Sequence, residues 1–317
     1  MSTFATASLS TDTIAMIESL AVMLQKEETV YEKTRDYLQL QIMPRPELDR
    51  TMIKESDRTK IVNWCFSMID HFELDRENVS VAMEIVDRFM SNKANSITAT
   101  VQDIIYDRVK FQLLAMAALY ISIKINERVA YSSHLFADLS NGTYSVDKIE
   151  NMEFHILQGL SWRINSPTSI QMARHILSVI LLHVNIEEST EAFILDEVQL
   201  QTECAVKDHF FSMQRASTVA MAAIFNAVDQ INVPDREAIL SAQVLLLNEG
   251  SFASPAELLD ATYRLKCLVE ENEISDEETV HPGLPTICED CSVDRETEEI
   301  CRNEQISYHI MVRRFSF

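Results

Sequence analysis

Glycine is scarce in this chain: 317 residues contain only four glycines, and none of them precedes Gly142. Glycine supplies positive-φ turns, tight hairpin connections and phosphate-cradling loops, and an average protein contains about 7% of it. The scarcity therefore excludes glycine-rich nucleotide loops of the Rossmann and P-loop kinds. It also predicts a chain that is mostly helical.

Basic residues are also few, since 27 Lys and Arg stand against 49 Asp and Glu, giving a formal net charge of −22. Residues 270–304 contribute about half of that net charge, with Arg295 and Arg302 as their only Lys or Arg residues. Sequence-independent affinity for nucleic acid depends on Lys and Arg that neutralise phosphates. We therefore expect no direct nucleic-acid partner.

Motifs of catalysis and metal binding are missing as well. The sequence contains no HExxH, GxSxG or paired-aspartate motif, and no two histidines are four residues apart. Cys65, Cys204 and Cys267 lie in apolar helical patterns and are expected to be inert core residues. The tail cysteines at 288, 291 and 301 are interpreted as reduced surface thiols, and a metal or redox site is the alternative. We predict no catalytic residue, no metal and no cofactor.

Membrane and export signals are absent by the same reading. No stretch looks long and apolar enough to span a bilayer, so no membrane partner is expected. The N-terminal residues lack a basic segment followed by a small-residue cleavage site. The expected location is intracellular, in the nucleus and the cytoplasm.

Apolar residues at helical spacing follow one another along the chain. Residues 11–42 form an N-terminal helical region that ends at Pro44 and Pro46. Two amphipathic helices then carry stripes within 61–72 and 82–90. Each stripe repeats at intervals of three or four residues, which predicts one buried face for each helix.

A third helix is predicted to begin at Thr100, where Asp103 completes a capping-box pattern. This helix becomes apolar on every side from 113 to 123, so other helices must surround it. Two more helices are predicted from about Phe136 and over 145–160. From Pro167 the pattern restarts with five more helical segments, the last opened by Ser254, Pro255 and Glu257.

Five polar and apolar residues of the first half stand at characteristic mutual spacings: Arg58, Asp87, Leu113, Lys124 and Glu153. At these positions the chain resembles the cyclin family. It matches all five signature positions of the cyclin box. The resemblance implies an all-α fold with two tandem five-helix cyclin folds, an N-terminal helix and an acidic, partly disordered C-terminal tail. The second half is similar to the family only in its helix order and in the segment WRINSPTS. The implied boundaries are 1–50 for the N-terminal helical region, 51–166 for the N-terminal cyclin box, 167–271 for the C-terminal cyclin fold and 272–317 for the tail.

The resemblance also implies a function. The chain would be a non-catalytic regulatory subunit that binds and activates a cyclin-dependent kinase and so controls cell-cycle progression and cell division. Lys124 and Glu153 would contact the kinase, aided by Glu127 and by Trp162, for which a core position is the alternative. Arg58 and Asp87 would form a structural ion pair, and Leu113 would belong to the core.

A substrate-docking groove for kinase substrates or inhibitors is implied at Ile61, Trp64, Arg108 and Gln112. The family segment MRAIL reads DRTKI here, so Asp57 and Lys60 replace two apolar residues and are expected to weaken docking of Arg-x-Leu peptides. A transcription-associated cyclin-fold protein that reads DNA is one alternative function, which the charge of −22 opposes. A helical enzyme is the other, and no catalytic motif supports it.

Overall fold

The computed structural model describes residues 11–31, 34–39, 52–91, 99–232, 235–249 and 252–275. The described residues all belong to one compact unit. The expectations for the acidic tail beyond 275 and for its three cysteines lie outside them.

The described residues contain thirteen helices and no strand, which confirms the all-α fold. They are α1 Thr11–Thr29, α2 Glu55–His71, α3 Glu77–Ser91, α4 Ala99–Ile105, α5 Arg108–Asn126, α6 Ser133–Leu139, α7 Val146–Gly159, α8 Ser169–Leu181, α9 Glu188–Lys207, α10 His209–Ser212, α11 Ala216–Asp229, α12 Asp235–Glu249 and α13 Pro255–Ser275.

The first set of helices, α2 to α7, surrounds α5. Every residue from Phe111 to Ile123 is buried, and α5 packs against α2, α3, α4, α6 and α7. The predicted start of this helix at Thr100 is wrong, because α4 is a separate helix and α5 begins at Arg108. The Asp107 side chain causes the break, since its Oδ1 accepts hydrogen bonds from Val109 N at 3.0 Å and Lys110 N at 3.2 Å. This is an N-cap, which satisfies amide groups that a helix start leaves unpaired.

The second set, α8 to α13, surrounds α11, which packs against α8, α9, α12 and α13. The N-terminal helix α1 lies against α8, with Leu20 buried in the core of this second set. The predicted helical region 11–42 is too long, because α1 ends at Thr29 and residues 34–39 are not helical. Asp36 turns the chain there by accepting hydrogen bonds from Leu38 N and Gln39 N, an alternative to the helical pattern.

The two sets of helices meet along α9, which contacts α2 and α3. Arg76 at the start of α3 forms an ion pair with Glu203 of α9 at 2.8 Å. Glu77 accepts hydrogen bonds from Thr168 Oγ1 at 2.8 Å and Gln171 Nε2 at 2.5 Å, at the start of α8. The boundary between the two folds at 166 and 167 stays a prediction.

The helix α5 corrects one expectation about membranes. By length and composition alone it could cross a bilayer, with a mean hydropathy of 1.2, and it is the one such helix in the described part of the chain. Of its apolar window, 67% is buried against other helices. Burial of this kind is what a core helix surrounded by its neighbours shows.

Candidate partner-binding surface

Lys124 and Glu153 lie side by side on the surface, although 29 residues separate them in sequence. Lys124 is in the last turn of α5 and Glu153 is in the middle of α7, and the Lys124 Nζ atom is 2.5 Å from Glu153 Oε1. The side chain of Lys124 is 43% exposed and that of Glu153 is 14% exposed. The Tyr120 ring lies 4.7 Å from the Lys124 ammonium and fixes it further. The pair is therefore formed within the chain while its lysine remains open to solvent.

Large apolar side chains are exposed on the same two helices and just beyond them. Phe154, the neighbour of Glu153, is 53% exposed, and Ile125, the neighbour of Lys124, is also exposed. Trp162 is 65% exposed, which excludes the alternative that it is a core tryptophan. Its amide donates to Leu157 O at 2.8 Å, so its backbone is held beside the last turn of α7. We define Lys124, Ile125, Glu153, Phe154 and Trp162 as the α5–α7 surface.

Sequence reasoning missed Phe154. The signal that could have found it is its register, because the buried residues of α7 are Ile149, Met152 and Ile156, and Phe154 falls outside that stripe. A large apolar residue on the polar side of an amphipathic helix is a candidate for a partner contact.

Glu127, expected at the kinase contact, has partners inside the chain. Its Oε1 accepts a hydrogen bond from Asn78 Nδ2 at 2.7 Å and one from Asp75 N at 3.2 Å. These bonds fix the end of α5 to the start of α3. A direct contact of Glu127 with a partner stays a prediction.

Arg58 and Asp87 form a buried ion pair between α2 and α3. Arg58 Nη2 is 2.7 Å from Asp87 Oδ2, Nε is 3.2 Å from Oδ1, and Nη1 donates to Val206 O at 2.6 Å. The Tyr37 hydroxyl donates to Asp87 Oδ1 at 2.7 Å. Burial, followed by the charge of Asp87, raises the pKa of Tyr37 well above its ordinary value. Burial is the largest single effect on Arg58 and would lower its pKa, but the charges of Asp87 and Tyr37, with their hydrogen bonds, together outweigh it and raise that pKa.

These contacts support a structural role for the ion pair, since each guanidinium nitrogen of Arg58 and each carboxylate oxygen of Asp87 has a hydrogen-bond partner. Leu113 is likewise buried, on α5. Arg58, Asp87 and Leu113 are therefore not part of the α5–α7 surface.

The residues of the implied docking groove occupy neighbouring parts of α2 and α5, but they are mostly engaged. Ile61 and Trp64 are buried, and Gln112 Oε1 accepts a hydrogen bond from Tyr144 at 3.1 Å. Arg108 Nε lies 3.1 Å from Asp57 Oδ2. The polar groups of the implied groove are therefore paired within the chain.

Asp57 differs from the expectation that it places a charge in the groove. Its Oδ2 also accepts a hydrogen bond from Lys54 N at 2.9 Å, which caps the start of α2. The Asp57 side chain is buried and forms hydrogen bonds with Lys54 N and Arg108, whereas Lys60 is exposed. Lys60 is thus the substitution that remains free to affect docking.

One cluster has the residue types of a hydrolase triad. His209 Nε2 lies 3.0 Å from Asp36 Oδ1, and His209 Nδ1 lies 3.2 Å from Ser212 Oγ. The Ser212 hydroxyl, however, donates to the carbonyl oxygen of His209 at 2.7 Å, and His209 is buried. A serine whose proton points to the backbone is not activated by the imidazole. The cluster instead attaches residues 34–39 to α10. Among the described residues, no group of three or more His, Cys, Asp and Glu side chains could hold a metal ion.

The family model and the relatives that match this chain are all described as cyclins. Residues 18–165 match the family model described as "Cyclin, N-terminal domain". A G1/S-specific cyclin-E1 of Gallus gallus is 27% identical over 161 residues, which are 51% of this chain and 35% of that protein. A G2/mitotic-specific cyclin-2 of Antirrhinum majus is 25% identical over 180 residues, which are 57% of this chain and 37% of that protein. The chain thus spans about a third of the length of these relatives.

Among solved structures, the X-ray structure of a viral cyclin from herpesvirus saimiri superposes with a TM-score of 0.55. The superposition covers 82% of this chain and 96% of the viral chain at 14% sequence identity. At that identity the likeness concerns the fold.

Proposed function

The chain belongs to the cyclin-box proteins, and from this premise we propose that it is a non-catalytic regulatory subunit that binds and activates a cyclin-dependent serine/threonine kinase. The observation that carries the proposal is the α5–α7 surface, which combines a preformed charged pair with exposed aromatic side chains on or just after α7. Protein interfaces are enriched in aromatic residues at positions that become desolvated on binding.

The physical argument rests on what the pair can still bind. An ammonium group has three donors; one of them binds Glu153, the Tyr120 ring lies 4.7 Å away, and the Lys124 side chain is still 43% exposed. The remaining donors face solvent and can bind backbone carbonyl groups of a partner. Phe154 and Trp162 would exclude water from these bonds, which strengthens them in the lower dielectric of an interface.

The proposed role is control of cell-cycle progression, in the nucleus and the cytoplasm. It is supported by the names of the relatives, which are G1/S-specific and G2/mitotic-specific cyclins. Kinase substrates or inhibitors would dock at the groove formed by Ile61, Trp64, Arg108 and Gln112.

The experiment mixes the purified chain with each of a panel of purified cyclin-dependent kinases and measures phosphotransfer to a protein substrate. We expect at least one kinase to be activated, and the chain alone to transfer no phosphate. The double variant Lys124→Ala, Glu153→Ala should weaken kinase binding by roughly 2 to 4 kcal/mol with little change in melting temperature, because it removes charges at the centre of the surface.

The matched control is Lys110→Ala with Asp103→Ala. This pair is also an exposed lysine and carboxylate, 3.4 Å apart, at the opposite end of α5. Kinase binding that survives in the folded Lys124, Glu153 double variant, or that the control pair reduces equally, would contradict the assignment of the surface.

A further inference from the structure

A cleft with charged and hydroxyl side chains in its lining lies beside α3, where the residues just before α8 and those just before α11 approach it. Its volume is about 110 Å³. A water molecule in the liquid takes up about 30 Å³, so the cleft has room for a small polar group or for a few waters. Its charged lining residues are Glu27, Arg58, Glu84, Asp87, Arg88 and Arg215.

Two of the three carboxylates in this lining are already compensated. Asp87 is paired with Arg58 as described above. Glu27 accepts hydrogen bonds from the amide of Ser217, at 2.9 Å, and from its hydroxyl, at the start of α11. A carboxylate at a helix N-terminus is stabilised by the amides that point toward it. Neither group therefore needs a further cation.

Arg88 is the residue without a matching partner. Its Nη1 atom is buried and has no hydrogen-bond partner in the described part of the chain. The guanidinium stacks on the Tyr31 ring, 4.7 Å from its centroid, which orients the group but accepts no hydrogen bond in its plane. Burial lowers the pKa of Arg88. Leaving a buried charged donor unpaired is costly, so an acceptor is expected at Nη1.

Glu84, one helical turn before Arg88, offsets that charge incompletely. Burial raises the pKa of Glu84 to about 7, against a smaller opposing effect of Arg88 and of a hydrogen bond with Ser166. Near neutral pH its carboxyl group is protonated about half of the time. In that form it leaves the charge of Arg88 unbalanced and can itself donate a hydrogen bond.

We propose that this cleft binds a small free oxyanion of the size of phosphate or sulfate, with Arg88 as the cationic anchor and the Glu84 carboxyl group as a second donor. An oxyanion presents only acceptors, which match the unpaired Nη1 and the protonated carboxyl group. A cation would be repelled by Arg88, and an apolar ligand would leave Nη1 unpaired. This inference does not depend on kinase binding.

Binding should depend on pH in a defined direction. As the pH rises through 7, Glu84 ionises beside the anion and repels it, so affinity falls. The other titratable or charged groups facing this pair are Glu27, Tyr31, Arg58, Asp87, Arg163 and Arg215. The pKa of Glu27 is raised too, by burial, so a variant of Glu84 is needed to separate the two carboxyl groups.

The test is calorimetric titration of the full chain with sodium sulfate, whose charge is constant between about pH 6 and about pH 8. We expect one saturable site, with affinity about tenfold lower at the higher pH. Arg88→Gln should lower the affinity at least about tenfold, since it removes the anchor's charge. Glu84→Gln, which imitates the protonated carboxyl group, should keep the binding and abolish its pH dependence.

The control is Arg236→Gln, because Arg236 pairs with Asp229 on the exposed surface and the variant changes the net charge equally. It should leave sulfate binding unchanged. Absence of a saturable site at about pH 6 would show that water alone fills the cleft and would overturn the proposal. Binding unaffected by Arg88→Gln, or a pH dependence that persists in Glu84→Gln, would overturn it too. If Arg88→Gln does not fold, Arg88→Lys tests the anchor instead. Sulfate affinity should then fall severalfold, because an ammonium group lacks the planar set of donors of a guanidinium group.

Discussion

At the scale of single residues, the buried Arg58–Asp87 pair shows why charge inside a core is costly to disturb. Asp87→Ala would leave the Arg58 guanidinium and the Tyr37 hydroxyl without their shared acceptor. We expect the free energy of unfolding to fall by about 3 to 5 kcal/mol. Urea denaturation followed by circular dichroism measures it.

The control for this variant is Asp103→Ala. Asp103 pairs with Lys110, and both side chains are about half exposed. Exposed pairs contribute about 0 to 1 kcal/mol, so this variant should be nearly neutral. Equal losses from the two variants would contradict the structural role of the buried pair.

Lys60 and Asp57 make different predictions for peptide docking. Parent affinity for an Arg-x-Leu peptide should be at least about tenfold below that of a cyclin with the intact MRAIL segment, because Lys60 places a charged group beside the apolar site for the leucine. Lys60→Ile should recover part of that loss. Asp57→Met should not, since it removes the cap of α2 and the partner of Arg108. Calorimetric titration of one peptide against the parent, the two variants and a cyclin with the intact MRAIL segment measures these four affinities, and tight binding by the parent would contradict the prediction.

Glu84 links the stability of the fold to pH. Its ordinary pKa of 4.5 is raised to about 7 in the folded chain, so the folded state holds the proton more tightly than the unfolded state. The stability this provides is complete below about pH 4.5 and is lost as the pH rises through 7. The free energy of unfolding of Glu84→Gln does not depend on this titration. Its difference from the parent value should therefore shift in favour of the variant by up to about 3 kcal/mol between acidic and alkaline pH. Denaturation at both pH values measures the difference, and a constant difference would refute the raised pKa.

Sequence spacing identified the residues of the α5–α7 surface only in part. Lys124 and Glu153 were found because their positions match a family pattern. The exposure of Trp162 was open because an aromatic residue at a helix end fits either a core or a surface. Arg88 and Glu84 gave no signal at all, since their state depends on burial by residues more than 70 positions away, such as Ser166 and Arg215.

At the scale of elements, local chemistry decided which helix boundaries the sequence could predict. The start of α13 is confirmed, because Ser254 and Glu257 exchange hydrogen bonds between side chains and amides in a capping box. The start of α5 was missed because two candidate caps stand seven residues apart. Thr100 with Asp103 matches the fuller pattern, yet Asp107 is the residue that caps the buried helix. Periodicity cannot rank competing caps.

Asp107→Ala tests that boundary. It removes an acceptor shared by the amides of Val109 and Lys110, and losing an N-cap costs typically about 1 kcal/mol. We expect that loss in the free energy of unfolding by urea, with no change in helix content. Asp107→Asn should restore most of the stability, because asparagine is an equally good cap. No loss in the alanine variant would mean that α4 and α5 are continuous.

At the scale of the whole molecule, polar contacts join the two sets of helices. The buried Arg58 of α2 donates to Val206 O of α9, and Arg76, just before α3, pairs with Glu203 of α9. The first set cannot open without stranding the Arg58 guanidinium. We therefore expect both sets to unfold together.

Native-state hydrogen exchange measures this directly. The slowest amides of α5 and of α11 should report the same free energy of opening, within about 1 kcal/mol, because both would exchange only through global unfolding. Asp87→Ala should lower both values equally. A lower value for one central helix would show that its set opens alone.

The exposure of Trp162 has a practical consequence, because the chain contains only one other tryptophan, the buried Trp64. The two indoles occupy opposite environments, so their fluorescence separates into a blue component and a red component. A soluble quencher such as iodide would reach Trp162 and spare Trp64. The red component therefore makes the α5–α7 surface its own spectroscopic reporter, and a partner that covers this surface can be detected without any attached dye.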